Sequence, residues 1–273
     1  MTELSKTAVM AALKTKWLGQ VCHYEPVVGS TNDLLKQAVA AGTAVSPPAG
    51  TLYLTDYQVQ GRGRWQRQWQ APPGTSLLFS LLFRPHWPGE RANWLTMLTA
   101  LAAVEAIEAA AGLTMQLKWP NDLMLCQNEL WYKVGGILLE GNLDEAGRLS
   151  SAVVGVGLNV NSLPTQLPPA ATPASSLLAV AGQEIERVPL LAALLLRLEE
   201  TYETAAAGHS PQPAWNKRLL TLGQKVRVTY GPQLSTKVLE GTAETTDRWG
   251  CLLVRDASGH LHTISAGDVT LRE

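Results

Sequence analysis

The amino-acid sequence predicts an α+β protein: one mixed or antiparallel sheet backed by helices, followed by a small β-barrel. Runs of β-forming residues recur at 51–57, 76–83, 134–139 and 152–160, and two long apolar stretches, 91–111 and 188–202, have helical length. After a change of composition around 208–213, Gly241, Gly250, Gly259 and Gly267 punctuate short β-like stretches such as 226–230 and 252–254 at nearly even spacing, which favours a small barrel. The 273 residues suffice for a sizeable core and a second small module. We expect a short helical extension over 1–20, a main domain over 21–215 and a barrel over 216–273.

In chain order, Leu4, Ala8, Ala11 and Ala12 fall near helical spacing within 3–17, before Gly19 interrupts the pattern. Ser30-Thr31-Asn32-Asp33 precedes Leu34, Leu35, Ala38 and Val39 and reads as a capped helix ending at Gly42. Its hydroxyls and amides suit either free backbone N–H groups or a ligand. Strands at 51–57 and 76–83 flank a loop dense in Gly, Arg and Trp, an elaborate connection of the kind that often carries function. The alanine content of 91–111 predicts a core helix stopped by Gly112. Met115, Leu117 and Trp119 then alternate with Thr114, Gln116 and Lys118, a half-buried strand that Pro120 ends and that directs Lys118 away from the core face. The Pro-rich stretch 163–175 reads as a loop, and the helix at 188–202 carries Glu199 and Glu200 near its end. On a turn of the barrel, Arg248 and Trp249 read either as a partner contact or as a lid on a small core.

Composition excludes several classes. Lys and Arg number 22 against 23 Asp and Glu, a net charge of −1, so no global positive field draws the chain onto nucleic acid. With 46% hydrophobic and 16% charged residues the chain is globular rather than disordered. Cys22, Cys126 and Cys251 lie far apart without CxxC spacing, which argues against a disulfide framework or zinc ribbon and for a reducing compartment, the cytoplasm. We expect all three to be small buried apolar residues. The N-terminal segment lacks a signal-peptide h-region, and no run of about 18 apolar residues reads as a membrane span.

The chemistry concentrates in the loop from Gln58 to Trp69, with Gly61, Arg62, Gly63, Arg64 and Arg67 between them. Glycine lets the backbone approach an anion without a Cβ in the way, and guanidinium forks hold carboxylate or phosphate oxygens in pairs. Alone, Gly-Arg-Gly-Arg equally suits a basic surface hairpin or an RNA-binding patch. Lys118-Trp119-Pro120-Asn121-Asp122 and Lys133-Val134-Gly135-Gly136 follow in order, each at the start or end of an expected strand, and Gly155-Val156-Gly157-Leu158-Asn159 comes after them.

This ordered set resembles biotin–protein ligases over roughly 24–161 and the C-terminal barrel. The resemblance implies a class II synthetase-like catalytic domain and an SH3-like barrel. It implies that biotin and ATP, with Mg²⁺, are joined as biotinyl-5′-AMP, and that biotin is then handed to a lysine of a biotin carboxyl carrier protein domain of a carboxylase. By the same resemblance Ser30, Thr31, Asn32 and Gln58 meet the biotin head group. Arg62, Gly63 and Arg64 line the biotin and adenylate site, and Lys133 stands beside the carboxylate and α-phosphate. Lys118, Asn121, Asp122 and Asn159 contact the nucleotide. Asp122 either holds Mg²⁺ or orients the acceptor lysine. Catalysis is thus assigned to Lys133, Arg62, Arg64 and Asp122, and no cysteine is needed as a nucleophile. The chain departs from the family at Gln66, where glycine is usual, and at Trp65, often basic. The loop is therefore expected to be stiffer, which leakage of free biotinyl-AMP would measure.

Rival readings are a lipoate ligase or octanoyltransferase of the same fold, whose usual Arg-Arg…Gly-Gly-Gly segment and His-Asp are missing here, and a nucleic-acid-binding module. About twenty residues precede the expected catalytic segment, few for a winged helix, so no sequence-specific DNA binding is expected. A homodimer through sheet edges stays open.

Overall fold

The structure, a computed structural model, describes residues 3–41, 46–169, 172–231 and 236–271. Seven strands make the main sheet: β1 (Cys22–Val28), β2 (Leu52–Gln58), β3 (Ser76–Phe83), β4 (Met115–Lys118), β5 (Asp122–Gln127), β6 (Leu130–Leu143) and β7 (Leu149–Asn159). Their order is β1-β2-β3-β7-β6-β5-β4, with β1 and β2 parallel and the other pairs antiparallel. The sheet is mixed because the β1–β2 connection carries a crossover helix, α2 (Thr31–Ala40), whereas the later strands return directly or by loops and α3 (Ala92–Ala111).

Helices cover both faces. On one side α2 packs over β2, β3 and β7, with Leu35 against Leu82 and Val153. On the other, α3 packs on β6, β7 and the second long helix, α5 (Arg187–Ala206). Strand β3, Ser-Leu-Leu-Phe-Ser-Leu-Leu-Phe, is accordingly buried at every position, as a strand covered on both faces must be. By length and hydropathy alone α3 with its preceding turn would suit a membrane, contrary to the expectation of no such run, but 72% of that window is buried inside the protein.

The N-terminal helix is shorter than its pattern suggested, α1 (Lys6–Ala12). The segment after it is pinned by Glu199 of α5, whose buried carboxylate accepts the backbone N–H groups of Lys16 (2.7 Å), Trp17 (2.9 Å) and Leu18 (2.8 Å). Two short helices, α4 (Leu177–Ala181) and α6 (Gln212–Asn216), flank α5 in sequence. The expected end of α2 at Gly42 lies outside the described residues; within them α2 ends at Ala40. The Pro-rich loop contains a short 3-10 turn, Pro164–Gln166.

The C-terminal strands β8 (Lys225–Tyr230), β9 (Lys237–Thr246), β10 (Leu252–Arg255), β11 (Leu261–Ile264) and β12 (Asp268–Leu271) form an antiparallel five-stranded sheet in the order β11-β10-β9-β8-β12. Its apolar side, including Val226, Val228, Leu252 and Val254, is continuous with the main core. Two indoles fasten it: Trp119 Nε1 donates to Gly250 O and Trp94 Nε1 to Arg248 O, both at 2.9 Å. Trp249 is half-buried against Trp94 with Arg248 stacked on it, so in this chain the pair caps the junction between the two sheets.

The cysteines depart from expectation. Cys22 is buried, and burial pushes its thiol up, but Cys126 is exposed and Cys251 is half-buried. Cys126 follows the buried Leu125 near the end of β5, where the strand's alternation turns it to solvent.

Candidate active site

Strand register assembles the site. In adjacent strands Lys118 pairs with Asp122, Asp122 with Gly136, and Gly136 with Gly157, so four residues from four strands stand in one row across β4, β5, β6 and β7. Gly155, two residues along β7, pairs with Leu138 on one side and Ser80 of β3 on the other. Period-two alternation turns this set to the face that also carries α2. Lys133 would fall out of step, but a bulge between Leu123 and Met124 shifts the β5–β6 register and brings it alongside. The bulged segment is held from outside: Lys133 N donates to Pro173 O at 2.8 Å and Ser175 N to Lys133 O at 3.0 Å.

The glycines of this row make room. A Cβ on Gly157 would lie 2.5 Å from Trp69 Cε2, and one on Gly155 would lie 2.1 Å from Asn32 Oδ1. Only hydrogen at these positions lets the indole and the amide rest directly on the sheet. Above them, the 61–70 loop folds back on itself, with Gly63 N donating to Arg67 O and Trp69 N to Gly61 O. Trp65 takes the left-handed region (φ 56°, ψ 39°), a costly conformation for a residue with a side chain.

The loop's arginines go three ways. Arg62, at the rim, pairs with Asp33 of α2 (2.5 Å) and Glu140 of β6 (3.2 Å), and the Asp33 bond raises its already high pKa. Arg64 turns inward to Asn121 Oδ1 (3.3 Å) and Gly267 O (3.1 Å), and burial draws its pKa down. Arg67 pairs with Asp268 of β12. The loop is therefore tied to α2, to the β4–β5 turn and to the C-terminal sheet at once.

Beneath the loop lies a cavity of about 750 Å³, within the usual range for a small-molecule site, and every residue assigned from the sequence to biotin, nucleotide or catalysis lines it. One end is neutral and polar. Ser30 caps α2, its Oγ accepting from Asp33 N, while Gln58 Oε1 accepts from Thr31 N (2.8 Å) and Thr31 Oγ1 (3.1 Å). Capping and an exposed ligand edge coexist here. The other end is cationic, with Lys133 Nζ 2.5 Å from Asp122 Oδ1 and Lys118 Nζ 3.1 Å from Thr172 Oγ1. Burial lowers the Lys118 pKa, and the charge of Asp122 only partly offsets it. Asn159 donates to Ser175 O, and its buried Oδ1 has no protein partner among the described residues, nor has Trp69 Nε1.

Several contributors were not foreseen. Trp69 was seen in the motif but given no role, and Ser80 and Glu140 gave no sequence signal except that Glu140 follows Gly136 and Leu138 at strand spacing. Asp268 and its neighbours reach the cavity from a strand more than a hundred residues downstream, which no local pattern indicates. Among the described residues no group of three or more His, Cys, Asp or Glu side chains could hold a metal ion.

Residues 24–159 match the family described as biotin/lipoate A/B protein ligase, and residues 221–272 match the biotin protein ligase C terminal domain. The chain is 33% identical over 272 residues to the bifunctional ligase/repressor BirA of Bacillus subtilis, covering 98% of this chain and 79% of that protein. It is 32% identical over 248 residues to the biotin–[acetyl-CoA-carboxylase] ligase of Mycobacterium tuberculosis, covering 88% of this chain and 85% of that one. Among solved structures, a biotin protein ligase from Aquifex aeolicus in complex with biotin and ATP matches with a TM-score of 0.73 at 26% identity, covering 93% of this chain and 99% of that chain.

Proposed function

The chain belongs to the biotin/lipoate A/B protein ligase family, as a biotin protein ligase, and from that premise we propose that it makes biotinyl-5′-AMP from biotin and ATP and passes the biotinyl group to a lysine of a biotin carboxyl carrier protein domain. The observation that carries this reading is one cavity with a neutral hydroxyl-and-amide end at Ser30, Thr31 and Gln58 and a cationic end at Arg64, Lys118 and Lys133. A flat ureido ring suits the first end and the meeting of a carboxylate with a triphosphate needs the second.

In the first step a carboxylate oxygen of biotin attacks the α-phosphorus of ATP, the bond to the bridging oxygen breaks, and pyrophosphate leaves with its electrons. Two anions must approach each other, so fixed positive charge lowers the barrier. Lys133 and Arg64 supply it from the cavity wall. Arg62, paired with Asp33 and Glu140 as Lys133 is with Asp122, adds positive charge at the rim and holds the loop there. Asn121, Lys118 and Asn159 hold the nucleotide, the free Oδ1 of Asn159 accepting a hydrogen bond from it.

In the second step the acceptor amine attacks the carbonyl carbon of the mixed anhydride, loses a proton, and AMP leaves. Asp122 is a single carboxylate paired with Lys133, which fits a Mg²⁺ ion arriving on phosphate oxygens rather than a dedicated metal cage. There it would neutralise phosphate charge. The alternative role we propose for the same carboxylate is to orient the incoming lysine. We further propose a cytoplasmic location; sedimentation measures whether the chain is a monomer or a homodimer.

The test supplies purified protein with ATP, Mg²⁺, a carrier domain and either radiolabelled biotin or radiolabelled lipoate. Label on the carrier lysine from biotin alone is the expected result. Label from lipoate alone would move the chain to the lipoate branch of the family.

A further inference from the structure

Ser80 and Glu140 do not line the cavity, yet both are hydrogen-bonded to residues that do. Resting on the biotin-ligase reading and deepening it, we propose that these two side chains are positioning residues that fix Thr31 as a hydrogen-bond acceptor at the neutral end, so that it takes a cyclic urea with a ring N–H toward Thr31.

The chain of reasoning starts at Glu140. Burial pushes its carboxyl up, but hydrogen bonds from Lys36 and Asn32 and the charge of Arg62 outweigh burial and hold it below the ordinary value. An ionised carboxylate can only accept. Asn32 must therefore present Nδ2 to Glu140 Oε2, at 3.0 Å, and so turns Oδ1 the other way, to 2.5 Å from Ser80 Oγ.

An amide oxygen also only accepts, so the single Ser80 proton lies on that contact. Ser80 Oγ is also 2.8 Å from Thr31 Oγ1, and Ser80 has no second proton to give. The Thr31 proton is committed either to Ser80 or to Gln58 Oε1, 3.1 Å away. Both partners lie within the protein, so Thr31 faces the cavity with a lone pair.

Gln58 is oriented independently. The backbone N–H of Thr31 can only donate, so the Gln58 atom 2.8 Å from it is the oxygen, and Nε2 is left on the side of Gly61 as a donor. Within the neutral end Thr31 is thus an acceptor, a role set by Ser80 and Glu140, which the ligand never touches. Ser80 is fully buried and Thr31 and Asn32 nearly so. A urea's ring N–H answers this acceptor; a dithiolane ring does not and would leave a buried acceptor unpaired.

Titration calorimetry of wild type, Ser80→Ala and Glu140→Gln with biotin, and with an analogue in which one ureido N–H is replaced by CH₂, tests this. Wild type should prefer biotin by about tenfold or more, the loss of one buried hydrogen bond. In both variants biotin should bind about tenfold more weakly and the preference should shrink toward unity, while KM for ATP in pyrophosphate exchange stays within about twofold. General loosening of the fold would weaken both ligands together and leave the preference intact, which would overturn the proposal. Glu140 is 21% exposed in its side chain, so Glu140→Gln keeps the test open should Ser80→Ala fail to fold. A wild-type protein that binds no biotin would overturn the ligase reading as well; one that binds biotin, with variants of unchanged preference, would overturn only the polarity relay.

Discussion

Lys118 shows how far a single side chain could be read in advance. Alternation in 114–119 turns it off the core face, and the structure agrees, with Met115 and Leu117 buried and Lys118 half-buried. What alternation could not give is its company: the row with Asp122, Gly136 and Gly157 exists only once four strands are in register. Burial holds its ammonium below the ordinary lysine value, and this has a sign. Between the folded and unfolded pKa the unfolded chain binds more protons, so the lysine costs stability while charged and that cost fades as pH rises through the folded value. Nucleotide binding runs the other way, because it needs the charge. KM for ATP should therefore rise on the alkaline side, by about tenfold per pH unit, starting below the pH at which exposed lysines titrate. Lys118→Arg should remove that limb. An unchanged profile in Lys118→Arg would take Lys118 out of the nucleotide site.

Elements were legible where burial is one-sided and obscure where it is not. The helices α3 and α5 and the strands β3 and β7 stood out because long apolar runs have few alternatives. Strand β1 did not: Cys-His-Tyr-Glu-Pro-Val-Val is mostly exposed between its ends and carries a proline, which an edge strand tolerates and a pattern search rejects. The bulge in β6 was equally hidden, since Lys133 is aimed by backbone bonds from Pro173 and Ser175 rather than by anything in its own strand. Glu199 is the clearest case of an element secured by a residue that looked incidental. Its carboxylate satisfies three consecutive backbone N–H groups, so Glu199→Ala should lower stability by about 3 kcal/mol or more, read as a lower urea midpoint at constant slope. A loss below about 1 kcal/mol would mean the 16–18 segment is held mainly by packing of Trp17 and Leu18.

At the scale of the molecule, the two sheets act on one cavity. The main sheet supplies its floor through the glycine row, and the C-terminal sheet closes it through Gly267 and Asp268, which hold Arg64 and Arg67 of the loop. The fold class and the position of the barrel could be argued from glycine spacing and apolar runs. That the barrel reaches the site could not, because the contact joins residues about two hundred positions apart. The central claim is that this shared cavity joins a carboxylate to ATP, and biotin-dependent exchange of radiolabelled pyrophosphate into ATP measures that step alone. Exchange should require biotin, persist without any carrier domain, and fall by about a hundredfold or more in Lys133→Met with its fold intact. Exchange independent of biotin, or undiminished in Lys133→Met, would contradict it.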